Sequence, residues 1–244
     1  MKFSSEIRQP AEKDGKNPIL SYLKNSNADI ICLQEYNTAS NKKFVTEQDV
    51  KKALKAYPYQ SIRQQRKGDV QLACFSRFPI LSSQLIEYKS DYNGSMKYVL
   101  NVNNDTITLI NNHLESNKLT KEDRGIYEDM IKDPNAKKVK TGLRQLIRKL
   151  GEASAIRASQ ADSVARIITE SHYPTMIVCG DFNDGSISYT HRVLTQELDD
   201  AFTQSGRGLG ISYNLNKFYF RIDNILISPN LKAYNLSLIH ISEP

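Results

Sequence analysis

Thr175-Met176-Ile177-Val178-Cys179-Gly180-Asp181-Phe182-Asn183-Asp184 is the stretch on which the reading of this chain turns. Met176 to Cys179 is a short, continuous, β-prone apolar run, which predicts a strand buried on both faces. It feeds directly into Gly180, and two carboxylates and an amide follow within four residues. A buried strand that ends this way delivers oxygen ligands and hydrogen-bonding groups to a sheet edge, where sites in layered α/β proteins gather. Alone, the run also reads as an Asx-type turn. Its meaning therefore depends on what other segments bring to the same edge.

Three other predicted strands end in polar groups. Asp29 to Leu33 ends in Gln34-Glu35, Leu109-Ile110 runs into Asn111-Asn112-His113, and Phe218 to Ile227 carries Arg221-Ile222-Asp223 within an apolar run. Singly, Glu35 reads as a solvated loop residue and His113 as a structural histidine. Asp223 weighs more, because a carboxylate between Ile222 and Ile225 is costly to bury without a partner. Four coincident strand ends suit phosphate-ester hydrolysis. Carboxylate oxygens hold Mg²⁺, which keeps several waters, and a second carboxylate orients or deprotonates a water. Histidine and amides bond to the developing phosphate charge.

The rest of the pattern is irregularly alternating. Helices are predicted over Pro18 to Ser26, Lys43 to Ala56, Thr141 to Glu170 and Ser188 to Glu197, with Gly151 expected to bend or break the third. Val70 to Phe75 reads as a strand, and Lys97–Val102 with Thr106–Asn111 as a hairpin. Strands outnumber helices, which favours packed sheets with helices outside over a doubly wound parallel sheet.

Asp29-Ile-Ile-Cys-Leu-Gln-Glu35, Asn112-His113-Leu114, Gly180-Asp181-Phe182-Asn183 and Arg221-Ile222-Asp223 stand in the order of the motif set that the endonuclease/exonuclease/phosphatase superfamily carries, and the chain resembles that superfamily over roughly residues 17 to 235. The segments at Ser116-Asn117, Arg157-x-x-Gln160-Ala161 and Gly206-Arg207-Gly208 are similar to a bacterial branch of it. The resemblance implies an α+β fold of deoxyribonuclease I type, a four-layer α/β sandwich of two packed mixed sheets with helices outside. By motif position it implies Glu35 as the metal ligand (Mg²⁺, or Mn²⁺) and His113 at the scissile phosphate. Asp181 would orient or deprotonate the attacking water, and Asn183 would hold the water and the phosphate. Asp223 takes the place of a carboxylate that orients a histidine near the C-terminus.

The resemblance also shows departures. The family opens with a strand ending in a metal-site Asn and closes with Ser-Asp-His, and neither is found between Met1 and Pro244; Asn224 stands where Tyr or His is usual. The expectation is one domain over residues 1–236 and a non-native or read-through tail over 237–244, with His240 an inadequate substitute for the missing histidine. Arg77 and Asn111 are lesser candidates for substrate contact, and Glu115, Ser116 and Asn117 for shaping the site. Gly206 to Gly210 reads as a substrate loop or, more simply, a glycine turn; His172 and His191 read as structural or exposed.

Composition bounds the partners. The net charge of +6 and pI near 9.0 suit a polyanion such as nucleic acid, phospholipid headgroups or inositol phosphates. The chain has no Trp and no aromatic series spaced for base stacking, so these substrates are not separated. The basic cluster at Lys137, Lys138, Lys140, Arg144, Arg148 and Lys149 reads as a solvated helix face. Cys32, Cys74 and Cys179 each lie in an apolar run, at no zinc spacing, and read as small buried hydrophobes. No apolar stretch approaches the ~18 residues of a membrane span, so the chain as given reads as soluble; a monomer with no obligate protein partner is expected, its location open. The leading expectation is a metal-dependent phosphoesterase. The alternatives are a non-catalytic phosphate- or metal-binding domain and an inactive fragment.

Overall fold

The computed structural model describes residues 17–40, 44–64, 71–90, 92–120, 122–123, 125–126, 137–215 and 218–238. His240 and the tail beyond Leu238 lie outside the described residues, as do the side chains of Lys137, Lys138 and Lys140.

The chain begins with α1 (Pro18–Asn25), whose Asn17 cap accepts from the Leu20 amide at 3.1 Å, with Pro18 preset for the first turn. Strand β1 (Ile30–Tyr36) follows, then α2 (Glu47–Ala53), shorter than the Lys43–Ala56 expectation because a Thr46/Asp49 capping box fixes its start. The strands β2 (Tyr59–Gln64), β3 (Gln71–Ser76), β4 (Ile80–Leu85), β5 (Gly94–Val102) and β6 (Asp105–His113) come next. The long α3 (Lys137–Thr169) leads to β7 (Met176–Asp181), then α4 (Tyr189–Leu194), β8 (Asp199–Asp200) and α5 (Ala201–Ser205). A small hairpin, β9 (Tyr213–Leu215) and β10 (Phe218–Phe220), precedes β11 (Asp223–Ile227).

Two sheets face each other. One has the order β1-β3-β2 and is antiparallel in its described pairings; the other has the order β4-β5-β6-β7-β11-β8 and is mixed, with β6 and β7 parallel. Three apolar clusters set the layers. Ile19, Leu20 and Leu23 of α1 and Val50 of α2 pack on Ile31, Leu33 and Phe75 outside the small sheet. Leu72, Cys74, Met96, Tyr98 and Leu109 fill the space between the sheets. Ala161, Val164 and Ile168 of α3 cover Ile110, Val178 and Leu226 outside the large sheet. The result is the four-layer α/β sandwich that the resemblance implied. No described helix is long and apolar enough to cross a membrane.

Three expectations change. Helix α3 runs through Gly151 without a break, since one interior glycine costs a helix only about 1 kcal/mol relative to alanine. The expected single strand from Phe218 to Ile227 is divided at Arg221-Ile222. Ser212 Oγ accepts the amides of both Ile222 (2.9 Å) and Asp223 (3.0 Å), and Arg221 turns away over the Phe202 ring to make a bidentate pair with Asp200. Asp200 also accepts from the Phe202 amide as the cap of α5 and meets His191 Nε2 at 3.1 Å. The thiols, finally, are less deeply buried than expected: Cys74 is buried, whereas Cys32 and Cys179 are half-buried. All three are free and converge between the sheets, where hydrogen bonding to Cys32 and then burial push the Cys179 thiol well above its ordinary pKa.

Two expected outcomes follow. Burial opposes the ionisation of Asp200, but the hydrogen bonds from His191 and Arg221 win and hold its carboxyl well below the usual range. A depressed folded-state pKa gives stability that is present above about pH 4, the unfolded value, and lost as pH falls further. Asp200→Asn is therefore expected to destabilise the fold by about 3 kcal/mol near neutral pH, and urea titrations should show the gap to wild type closing below about pH 4; a gap that is flat with pH would refute this account. Separately, Gly180 has φ +129°, and a Cβ there would lie 2.0 Å from the Asn112 carbonyl oxygen on β6. Gly180→Ala should cost about 3 kcal/mol or more, read as a lowered denaturation midpoint. A midpoint equal to wild type would show that β6 and β7 are not held this closely.

Candidate active site

The close approach at Gly180 sets a register. Across β6, β7 and β11, His113 pairs with Asp181 and Asp181 with Asp223, so the three stand in one row on adjacent strands. Directly opposed residues project from the same face of a sheet. Ile177 and Cys179, the earlier residues of that face on β7, pack between the sheets, so the row lies at the mouth of the inter-sheet space.

Asp181 is fully buried, and its Oδ1 accepts the Asn183 amide at 2.8 Å. The same bond turns the chain, and Asn183 takes φ +51°, a left-handed conformation that Asn tolerates better than most residues. The Asn183 side chain then donates to the Leu114 carbonyl at 2.8 Å, which ties the loop after β7 to the loop after β6. Asn93, just before β5, donates to the same carbonyl at 3.0 Å. Asp184 continues the loop, its Oδ2 accepting from Thr190 of α4 at 3.0 Å.

Glu35 reaches the row from the opposite sheet. Its Oε1 lies 3.6 Å from His113 Nε2, with the histidine side chain 6% and the glutamate side chain 25% exposed. Glu35 sits in a bulge of β1, between Leu33 and Tyr36, with φ +52°. A glutamate in the left-handed region is a strained choice, and such outliers cluster where a side chain must be aimed. Asp223 is half-buried at the start of β11, less enclosed than expected, beside a cavity of about 450 Å³ between the sheets that Cys32, Gln34, Cys179 and Gly180 also line.

Thus Glu35, His113, Asp181, Asn183 and Asp223 come together at one end of the sandwich. Two other candidates do not join them as expected. Arg77 bonds to Asp29 at 3.2 Å and to Asn27 at 2.8 Å and lies over the Tyr57 ring. That is the start of β1, about 20 Å along the strand from Glu35 at its end, so Arg77 is not brought to the row. Asn111 is fully buried. It accepts from Gln34 Nε2 at 2.5 Å and donates to the Leu33 carbonyl at 3.2 Å, pinning one sheet to the other. Gln34 is a residue the sequence reading passed over; its only signal there is its place beside Glu35. Asn224 is buried and bonds to its own Ile222 carbonyl at 3.2 Å. Gly206 ends α5, and Gly208 and Gly210 have positive φ, so that stretch is a glycine turn. His191 is a structural partner of Asp200.

No curated protein sequence matches the chain. Solved structures do match. The chain is similar to the humanized D. rerio TDP2 carrying 14 mutations, with 19% identity, a TM-score of 0.59, and 86% of this chain and 74% of that one covered. It is similar to an endonuclease/exonuclease/phosphatase from Bacteroides vulgatus at 17% identity and TM-score 0.59, over 91% of this chain and 84% of that one. Sphingomyelinase C from Streptomyces griseocarneus matches at 18% identity and TM-score 0.57, over 83% and 72%. At these identities the likeness is one of fold. The sequence model of the Endonuclease/Exonuclease/phosphatase family matches residues 8–243, nearly the whole chain, and the protein belongs to that family.

Proposed function

We propose that this protein is a Mg²⁺-dependent phosphoesterase that hydrolyses a phosphodiester or phosphomonoester by direct attack of water. The observation that carries the reading is the row His113–Asp181–Asp223 with Glu35 brought to it from the facing sheet. A carboxylate, an imidazole and a second carboxylate on adjacent strands, bounded by an amide-bearing turn, are the groups that water attack on a phosphate ester needs.

Asp181 orients the attacking water and takes its proton, because it is a fixed carboxylate with one oxygen already committed to the Asn183 amide. Asn183, locked by its bond to the Leu114 carbonyl, holds the water and a phosphate oxygen in line. His113, the member of the row that meets Glu35, hydrogen-bonds a phosphate oxygen as charge develops. Asp223 polarises the far end of the row. No three of the His, Cys, Asp and Glu side chains among the described residues form a ready metal cage. The carboxylates of Glu35, Asp181 and Asp223 are hard oxygen donors, which suit Mg²⁺, an ion that keeps most of its waters and takes one or two protein carboxylates. Glu35, part-exposed at the rim, would hold it, with Mn²⁺ an alternative. When bound, the ion supplies charge neutralisation at the phosphoryl and leaving oxygens.

The substrate class is any accessible phosphate ester, with nucleic acids, phospholipids and inositol phosphates the candidates that the basic surface favours. The related structures carry names as different as TDP2 and sphingomyelinase, so the shared fold does not choose among them. The experiment is hydrolysis of bis-p-nitrophenyl phosphate and of a panel of natural esters with Mg²⁺, Mn²⁺ or EDTA. EDTA should abolish turnover, and Asp181→Asn, which keeps the bond to the Asn183 amide, should lower kcat by about 10²–10⁴-fold with an unchanged melting curve. A folded Asp181→Asn protein with wild-type turnover would defeat the mechanism. Phosphate-ester binding without turnover in the wild type would mark the protein as a binding module.

A further inference from the structure

The inner stripe of α3 is interrupted by two polar residues. Ala161, Val164 and Ile168 are packed against the large sheet and Ala153 is buried at helical spacing from them, and Arg157 and Gln160 lie within the same stripe, 3% and 1% exposed. A buried guanidinium is costly unless its donors are used, and this one is used on both loops that carry site residues. Arg157 Nη1 donates to the Glu115 carbonyl at 2.9 Å and to Asn117 Oδ1 at 2.8 Å, while Nε lies 3.2 Å from Asp184 Oδ2. The Nε contact is ionic in character, its angle being poor for a hydrogen bond. One helical turn on, Gln160 Oε1 accepts the Glu115 amide at 2.8 Å, so α3 holds both backbone polar groups of Glu115.

We propose that Arg157, with Gln160 beside it, is a positioning residue that fixes the separation of the loop after β6 from the loop after β7, and so the placement of His113 relative to Asn183. His113 is two residues before Glu115, and Asn183 immediately precedes Asp184, so each site residue is one or two peptide units from an atom that Arg157 touches. The left-handed turn at Asn183 needs this support, because its preferred backbone alternatives would swing the amide away from the Leu114 carbonyl. Only a planar fork can reach a carbonyl, an amide oxygen and a carboxylate in different directions at once, and a lysine ammonium placed there would lose at least one of them.

The kinetic consequence rests on the phosphoesterase reading, and the structural one does not, so two measurements are made on the same proteins. Arg157→Lys is compared with wild type for bis-p-nitrophenyl phosphate hydrolysis with Mg²⁺ and for backbone amide exchange. The expected kinetic result is a fall in kcat of about 30-fold or more with KM within about twofold, the pattern of lost transition-state alignment and not of lost binding. The expected exchange result is faster exchange, by about tenfold or more, confined to residues 114–117 and 182–184, with the interiors of β6, β7 and α3 as in wild type. If Arg157→Lys fails to fold, Asp184→Asn serves instead, and it should loosen residues 182–184 alone. Unchanged kcat in an active enzyme, or exchange that rises evenly through α3 and the large sheet, overturns the proposal. A wild type that turns over no ester overturns the phosphoesterase reading, and the exchange pattern then decides the positioning role by itself.

Discussion

The site depends on one close approach. Gly180 of β7 lies so near the Asn112 carbonyl that no other residue fits, and this contact locks the parallel pairing of β6 and β7 at its last residues. A slip of one residue would turn every side chain of β7 to the opposite face. Asp181 would then point at α3 in place of the inter-sheet mouth, and Val178 would leave the helix-covered core that it shares with Val164 and Ile110. The apolar packing and the polar row thus enforce the same register, and neither can shift without the other.

Much of this was readable from the residues. The strand at Met176, the hairpin about Asn103-Asn104, the first helix and the amphipathic long helix all appear where pattern places them. The polar ends of β1, β6, β7 and β11 were visible as an anomaly repeated four times. What no linear pattern displays is pairing: that His113, Asp181 and Asp223 share a row follows from register, which is decided by contacts far apart in sequence. The edge strand β4 has the solvent-facing run Leu81-Ser82 and little apolar alternation, and β2 reads Tyr-Gln-Ser-Ile-Arg-Gln, so neither carried a strand signal. Both owe their extended form to a neighbouring strand.

Residue type does not carry a side chain's direction, which register and packing decide. Asn111 precedes His113 by two and shares its face, yet it is deeper by two residues and its side chain is bonded to Gln34 of the facing sheet. Arg77 has the chemistry of a phosphate contact and sits at the end of β1 opposite Glu35. Asp223 reads as buried because Ile222 and Ile225 flank it, whereas the Ser212 bonds and the Arg221–Asp200 pair interrupt the strand just before it and leave Asp223 half-buried at the start of β11.

The division of labour between the sheets has one more implication. His113, Asp181 and Asp223 belong to a single hydrogen-bonded sheet, so their mutual spacing is as rigid as a strand ladder. Glu35 belongs to the other sheet and is coupled to them by side-chain packing and by the Gln34–Asn111 bond. Sliding one sheet over the other by a fraction of an ångström would retune the distance from carboxylate to imidazole while leaving the row untouched. The interface between the sheets, filled by Leu72, Met96, Tyr98 and the three thiols, then acts as an adjustment layer. Sequence drift there can alter how the two halves of the site meet without altering any residue within either half.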